Sequence, residues 1–285
     1  MTTSALSAAD LAAKSLDLPV VPVVAQKVMD EMTRVSCSAE SLSAIIRGDQ
    51  ALMGRILRIA NSAFYRRPIP AKTLEQAVVR LGLGLVRDLA ISLSTQSLFK
   101  KFGPLETQMW EHSIAVGTAA QLIARDTGNL DSGEAFVAGM LHDTGKVLLN
   151  NHAPEAYANA VARAQDEGRS LYAIEREEFG FDHTVVGGLM LKKWELPEEI
   201  VNAAVWHHSA DELDMVPAHS RPIVAAVALG NDLAHSVGLT VGGVKTKLDA
   251  ESNAAAITLG FDQAKVDALS EETLELFKEN RGVFS

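Results

Sequence analysis

Apolar residues recur along this chain at intervals of three and four, the period of helices that bury one face. Between 50 and 63, Leu52, Ile56, Leu57 and Ala60 fall on one such face. Ser38 can cap the apolar stretch through Leu42, Ile45 and Ile46, and Thr73 can cap 74–81, whose Leu74, Ala77, Val78 and Leu81 point one way. Gly82 and Gly84 then interrupt, and an apolar helix follows through Val86, Leu89, Ala90 and Leu93 to Phe99. Farther on, the same period predicts helices over 106–125, 133–149, 154–167, 171–179, 183–194, 198–208, 222–237 and 262–277, with a polar loop over 209–221. Strand-like alternation is confined to 241–244.

These elements predict an all-α fold. At 100–104, Lys-Lys-Phe-Gly-Pro reads as a connector, because glycine frees the backbone and proline keeps the residue before it out of a helix. The expected division is an N-terminal helical subdomain, 1–103, packed on a second helical domain, 104–285.

Composition narrows the class. Aromatics are only 5% while Ala, Leu and Val abound, which favours helices packed through small aliphatic side chains over a β-sandwich. The single cysteine, Cys37, has no internal disulfide partner, so a reducing compartment is expected. The first eighteen residues lack a basic stretch followed by an apolar one, and no run approaches the ~18 apolar residues of a membrane span. A cytoplasmic protein without a membrane partner is expected. The net charge of −10 is uneven: the first 103 residues carry +5 and the rest −15. The positive half is spread too thinly for a polybasic patch. With acidic overall charge and scarce aromatics, neither a phosphate-neutralising surface nor a stacking platform is available, which argues against a nucleic-acid partner.

The chemistry concentrates in the second half. An apolar run through Ala135, Phe136, Val137, Ala138, Met140 and Leu141 ends on His142 and Asp143, so an imidazole and a carboxylate stand side by side at the rim of a core. His112 shares a helical stripe with Ala115, Val116, Ala119 and Ile123 and is expected to point inward. His183 opens a helix with Val186, Gly187 and Met190 on its face. His207 and His208 end a helix whose inner stripe is Ile200, Ala203 and Ala204, and Asp232 lies one turn past Ala228. Taken singly, each has an ordinary reading: His112 as a hydrogen-bonded core residue, His207-His208 as partners of the last helix carbonyls, Asp232 as the mate of an arginine. Taken together, nitrogen and carboxylate donors suit divalent Zn, Fe, Mn or Ni. Their number exceeds the three or four of an ordinary zinc site and so allows one or two ions, with Asp143 as a bridge. A two-ion site suits phosphoester hydrolysis, and Lys146, one turn past His142, could reach a phosphate oxygen. His152, His219 and His235 fall outside this set.

On those residues, the chain from about 106 onward resembles the HD superfamily, named for a His-Asp pair that is followed here by Thr144-Gly145-Lys146. The resemblance implies metal ligands at His112, His142, Asp143 and Asp232. The HD-GYP branch, which cleaves cyclic di-GMP, adds histidines matching His183, His207 and His208 and a lysine matching Lys146. Residues 209–217 lack the Gly-Tyr-Pro segment of that branch, so the resemblance does not extend to its substrate. Gln108 stands where some members carry a carboxylate ligand, which leaves no donor for a third ion.

The first half is similar to the HDOD domain, the HD-related output domain of bacterial signalling. The matching words are Leu18-Pro19-Val20-Val21-Pro22, Ile45-Ile46-Arg47-Gly48-Asp49-Gln50-Ala51-Leu52, Ile56-Leu57-Arg58-Ile59-Ala60-Asn61-Ser62-Ala63-Phe64-Tyr65 and Ala77-Val78-Val79-Arg80-Leu81-Gly82. The resemblance implies a signalling output protein that acts on a regulatory protein partner and keeps a divalent-metal site. The alternative is an active metal-dependent phosphohydrolase on a nucleotide or phosphate ester, with Asp143 and Lys146 in catalytic roles. Physically, Asn61 and Ser62 can bond backbone groups at a helix end while Phe64 and Tyr65 anchor the next loop. A docking surface of Arg55, Arg58 and Tyr65 is the other reading of that segment.

Overall fold

The structure is a computed structural model that describes residues 16–32, 34–62, 65, 67–242 and 245–284. Readings that rest on the first fifteen residues, on Ala63 and Phe64, or on Val244 lie outside it. The described residues form fifteen α-helices and two short 3₁₀ turns, with no strand among them. Val241 and Gly242 lie in a bend.

Five helices make up the first part: α1 (Val23–Met32), α2 (Ala39–Ile46), α3 (Gln50–Ala60), α4 (Leu74–Leu81) and α5 (Leu83–Ser94). Their starts follow capping chemistry. The side chains of Ser38, Asp49 and Thr73 accept hydrogen bonds from the backbone N–H groups of Ser41, Leu52 and Gln76. Each satisfies a donor that the first turn leaves open, a contribution of about 1 kcal/mol. Asn61 closes α3. Its Nδ2 donates to the carbonyls of Leu57 and Ala71, while its Oδ1 accepts from the Ala71 N–H and from Arg80. That is the loop-anchoring role its position predicts. Tyr65 reaches the second part, where its hydroxyl accepts from Gln121.

The second part is built on the long helix α6 (Pro104–Thr127), which is packed against α7 (Ser132–Leu141), α13 (Arg221–Ser236) and α15 (Gln263–Phe284). α6 and α7 meet at glycines: a Cβ on Gly139 would stand 2.7 Å from Gly117 Cα, so only glycine permits this crossing. Beyond them come α8 (Thr144–His152), α9 (Pro154–Glu167), α10 (Leu171–Phe179), α11 (His183–Lys193), α12 (Glu198–Trp206) and α14 (Ala254–Leu259).

The largest cluster of buried apolar residues extends from Leu16 to Phe277, on both sides of the connector at 100–104, and two smaller clusters lie beside it. α5 lies on α7 and α3 touches α15. Trp194 donates from its indole Nε1 to the Pro19 carbonyl at 3.0 Å, and Lys193 donates to the Leu18 carbonyl at 2.7 Å. The segment ahead of α1 is thereby fixed to the end of α11.

Several elements differ from the sequence reading. The single helix predicted over 133–149 is two helices, broken at His142 and Asp143. Asp143 leaves helical geometry at φ −103°, ψ 11°, and the Thr144 hydroxyl donates to the Leu141 carbonyl freed by the break. The loop over 209–221 contains a 3₁₀ turn, Ala210–Met215, and α14 was not legible at all. α14 is only six residues long, too short for a periodic pattern to stand out.

Candidate metal centre

The break between α7 and α8 turns Asp143 inward, where 4% of the residue is exposed, and four other elements bring imidazoles to it. His112 comes from the middle of α6, His142 from the end of α7, His183 from the first residue of α11, and His207 and His208 from the end of α12. His142 and His183 have no exposed surface, His112 has 1% and His207 has 3%, while His208 is half-buried.

The two oxygens of Asp143 face different histidines. Oδ2 lies 3.3 Å from Nε2 of His112 and 3.3 Å from Nε2 of His142. Oδ1 lies 3.2 Å from Nε2 of His183 and 3.6 Å from Nε2 of His207. His208 joins the second set through its Nε2, 3.1 Å from that of His183. Lys146 Nζ stands 2.6 Å from Oδ2.

The outer nitrogens explain why the inner ones converge. Nδ1 of His112 lies 2.7 Å from the Leu239 carbonyl, Nδ1 of His142 lies 2.7 Å from the Gly139 carbonyl, and Nδ1 of His207 lies 3.0 Å from the Ala204 carbonyl. Carbonyl oxygens only accept, so in all three rings the proton sits on Nδ1 and the Nε2 lone pair faces the centre. His183 is held likewise, but by a carboxylate: its Nδ1 lies 2.5 Å from Glu175 Oε2, which also accepts from the His183 backbone N–H at 2.9 Å. Tyr157 completes this buried chain by donating to Glu175 Oε1 at 3.0 Å. Such outer partners fix the tautomer and raise the basicity of a ligating imidazole.

The centre itself leaves several acceptors unmatched. Nε2 of His112, Nε2 of His142 and both oxygens of Asp143 are buried with no hydrogen-bond partner. These four atoms approach one another without the alignment of hydrogen bonds, as groups aimed at a common point do. Burial pushes His142 down to about 3 and lowers His207 and His208 too, so these rings are neutral. Burial would raise Asp143, but its electrostatic coupling to His142, the Lys146 ammonium and the closeness of the His112 ring hold it well below the usual carboxylate range. His183 is the exception: burial pulls it down, and Glu175 overcomes this to set it at about 9. Positive charge is therefore favoured where Nε2 of His183 faces Asp143 Oδ1. Two groups satisfy the spacing a cation needs: Asp143 with His183, His207 and His208, and Asp143 with His112 and His142. The donor set, nitrogen with carboxylate, fits a borderline divalent ion, and the unsatisfied buried atoms fit it as well.

Asp232 is not brought into either group. Its Oδ2 accepts from Asn253 Nδ2 at 2.7 Å, on the side of α13 that faces the α14 start. Burial pushes this carboxyl up to about 6, against hydrogen bonds from Asn253 and Asn231. One position earlier and one turn later on α13, Asn231 and His235 share a different face. The His235 ring stands 5.4 Å from that of His112, with its Nδ1 against the Thr240 hydroxyl at 3.2 Å. Asn231 Oδ1 is buried without a partner. Sequence reasoning set His235 aside and missed Glu175, Tyr157 and Tyr172, whose ring stacks on His208 at 4.7 Å. A signal for Glu175 existed: it lies on the same stripe as Leu171 and Ile174, so a carboxylate was being buried there.

An all-α bundle that gathers histidines from four helices around one His-Asp aspartate is an HD-type architecture. The sequence matches the HDOD domain family over residues 18–210, and the chain belongs to that family. It is similar along its length to the crystal structure of an HDOD domain protein of unknown function from Geobacter sulfurreducens. Identity is 27%, the TM-score is 0.82, and the match covers 97% of this chain and 98% of that one. A Shewanella amazonensis SB2B protein, described as a candidate phosphohydrolase, shares the fold at 21% identity and a TM-score of 0.71, with 98% of each chain covered. An uncharacterized protein of Treponema pallidum (strain Nichols) is 23% identical over 225 residues, 79% of this chain and 43% of that protein. The chain spans less than half the length of the curated relatives it matches. No helix among the described residues is long and apolar enough to cross a membrane.

Proposed function

We propose that this chain is a signalling output protein that works on a regulatory protein partner and carries a divalent-metal centre. The first part, 1–103, would serve docking, and the second, 104–285, would hold the ions. His112, His142, Asp143, His183, His207 and His208 are the proposed ligands. One observation carries the metal reading: the fixed Nδ1 partners aim at least four Nε2 atoms at the two oxygens of a buried carboxylate whose one ammonium neighbour is Lys146. Membership of the output-domain family supports the signalling role. The bound ion is Fe, Mn, Zn or Ni in this reading, and when bound it would supply Lewis acidity to a coordinated phosphate or water.

A second reading is favoured by Lys146. This buried ammonium beside Asp143 is placed to bind an anionic oxygen, and a nearly complete ligand set around it suits a phosphohydrolase acting on a nucleotide or phosphate ester. In that role Lys146 would neutralise and orient the phosphate, and the buried rings would exclude bulk water. The two readings separate in a screen of the metal-loaded chain against phosphomonoesters, phosphodiesters and nucleotides. The output-protein reading expects no turnover above background. Turnover that His142→Ala and Asp143→Ala abolish would replace it with the enzyme.

A further inference from the structure

The two halves of the metal centre are unequal. On the Oδ1 side of Asp143 stand three imidazoles, His183, His207 and His208, whereas the Oδ2 side has two, His112 and His142. The outer partners differ in the same direction. His112, His142 and His207 are backed by neutral carbonyls, but His183 is backed by the carboxylate of Glu175, itself fully buried and held by Tyr157. A negative charge behind the ring strengthens the donor in front of it. The third difference is a competitor. Lys146 Nζ stands 2.6 Å from Oδ2, so a built-in cation already lies beside that oxygen.

Ligand count, outer charge and the position of the lysine are separate observations that point one way. We propose that the two positions fill in a fixed order. An ion enters first between His183, His207, His208 and Asp143 Oδ1. The second position, between His112, His142 and Oδ2, fills only as Lys146 withdraws. Lys146 is thus a resident substitute for the second ion, and the chain has two standing states, one ion with the lysine engaged or two ions with the lysine released. The lysine that leaves Asp143 becomes free to meet an anionic oxygen, so loading of the second ion and readiness for a phosphate are coupled. This rests on the reading that the cluster binds divalent metal.

The test is a calorimetric titration of chelator-stripped full-length chain with Mn²⁺, with folding of each variant checked by circular dichroism. Two steps are expected, the first tighter by tenfold or more. Glu175→Gln should weaken the first step by about 10- to 100-fold, the range for loss of a ligand's outer partner. Lys146→Met should tighten the second step at least tenfold and leave the first in place. His112→Gln should remove the second step alone. A wild-type chain that takes a single ion supports the order if His208→Gln abolishes that ion and His112→Gln spares it, and opposes it if the effects are reversed. Two ions entering together with equal affinity, or a second step indifferent to Lys146→Met, would overturn the order while leaving the metal centre intact. Failure of the wild-type chain to bind any Mn²⁺ would overturn both.

Discussion

A Cβ placed on Gly145 would stand 2.0 Å from the backbone carbonyl oxygen of His183. Helix α8 and the start of α11 are therefore in backbone contact, and this contact sets how far His183 lies from Asp143, two residues before the glycine. Gly145→Ala should force the two helices apart. The expected result is a loss of about 2–4 kcal/mol in denaturant unfolding, at the upper end for overpacking because backbone and not a flexible side chain is in the way. It should also cost binding of the ion held by His183. A stability within 0.5 kcal/mol of wild type, about the size of an inconsequential surface change, would mean that the contact is not tight.

The Tyr157 hydroxyl binds Glu175 where neither residue has exposed surface. Tyr157→Phe removes one donor and leaves a buried carboxylate with one partner fewer. A destabilisation of about 1–3 kcal/mol follows from the desolvation of the unpaired oxygen. Thermal and denaturant unfolding check it. An unchanged midpoint would show that Glu175 does not depend on this bond.

Asp232 supplies a pH dependence that is independent of the metal ligands. Its native value of about 6 lies above the ordinary 3.8, with burial as the cause, so the folded chain holds a proton that the unfolded chain has released. The stability tied to this group is complete below about pH 4 and is lost as pH rises through about 6. Asp232→Asn keeps an acceptor for Asn253 and removes the titration. The variant should gain about 3 kcal/mol over wild type at pH 7 and almost nothing at pH 3.5, since a shift of one pKa unit is worth about 1.4 kcal/mol. Parallel stability curves for the two proteins between pH 3.5 and 7 would refute the assignment.

Asn61 binds four groups at once: the carbonyls of Leu57 and Ala71, the Ala71 N–H and Arg80. Asn61→Ala should cost about 1–2 kcal/mol, the worth of a helix-end residue whose partners lose their mate. Unfolding midpoints measure it, and a neutral outcome would argue that the loop before α4 is held by other contacts.

The helices that carry the site were legible because their apolar stripes repeat over three or more turns, and His112 declared itself by sharing a stripe with Ala115, Val116, Ala119 and Ile123. The His142-Asp143 break was not legible. Apolar residues stand on both sides of the pair, at Ala135–Leu141 and again at Val147–Leu149, so the period reads as one helix, and the tertiary contact at Gly145 shows why the chain turns there. On α13, burial covers Ile223 through Asn231 and then Leu233 and Ala234, nearly the whole circumference. Periodicity gives no direction on such a helix, which is why Asp232 was chosen and the Asn231–His235 face overlooked. Outer partners such as Glu175 belong to a second helix and meet their histidine only after folding, although its place on a buried stripe was a usable sign.

The central claim is that Asp143 joins two groups of histidines into a place for divalent ions. Elemental analysis of the full-length chain, purified without chelators after growth in metal-supplemented medium, tests it most directly beside Asp143→Ala. One or two equivalents of Fe, Mn, Zn or Ni in the wild type and none in the variant are the outcome this geometry requires. A folded wild-type chain that carries no ion and takes none up, or a variant that retains as much as the wild type, would contradict it.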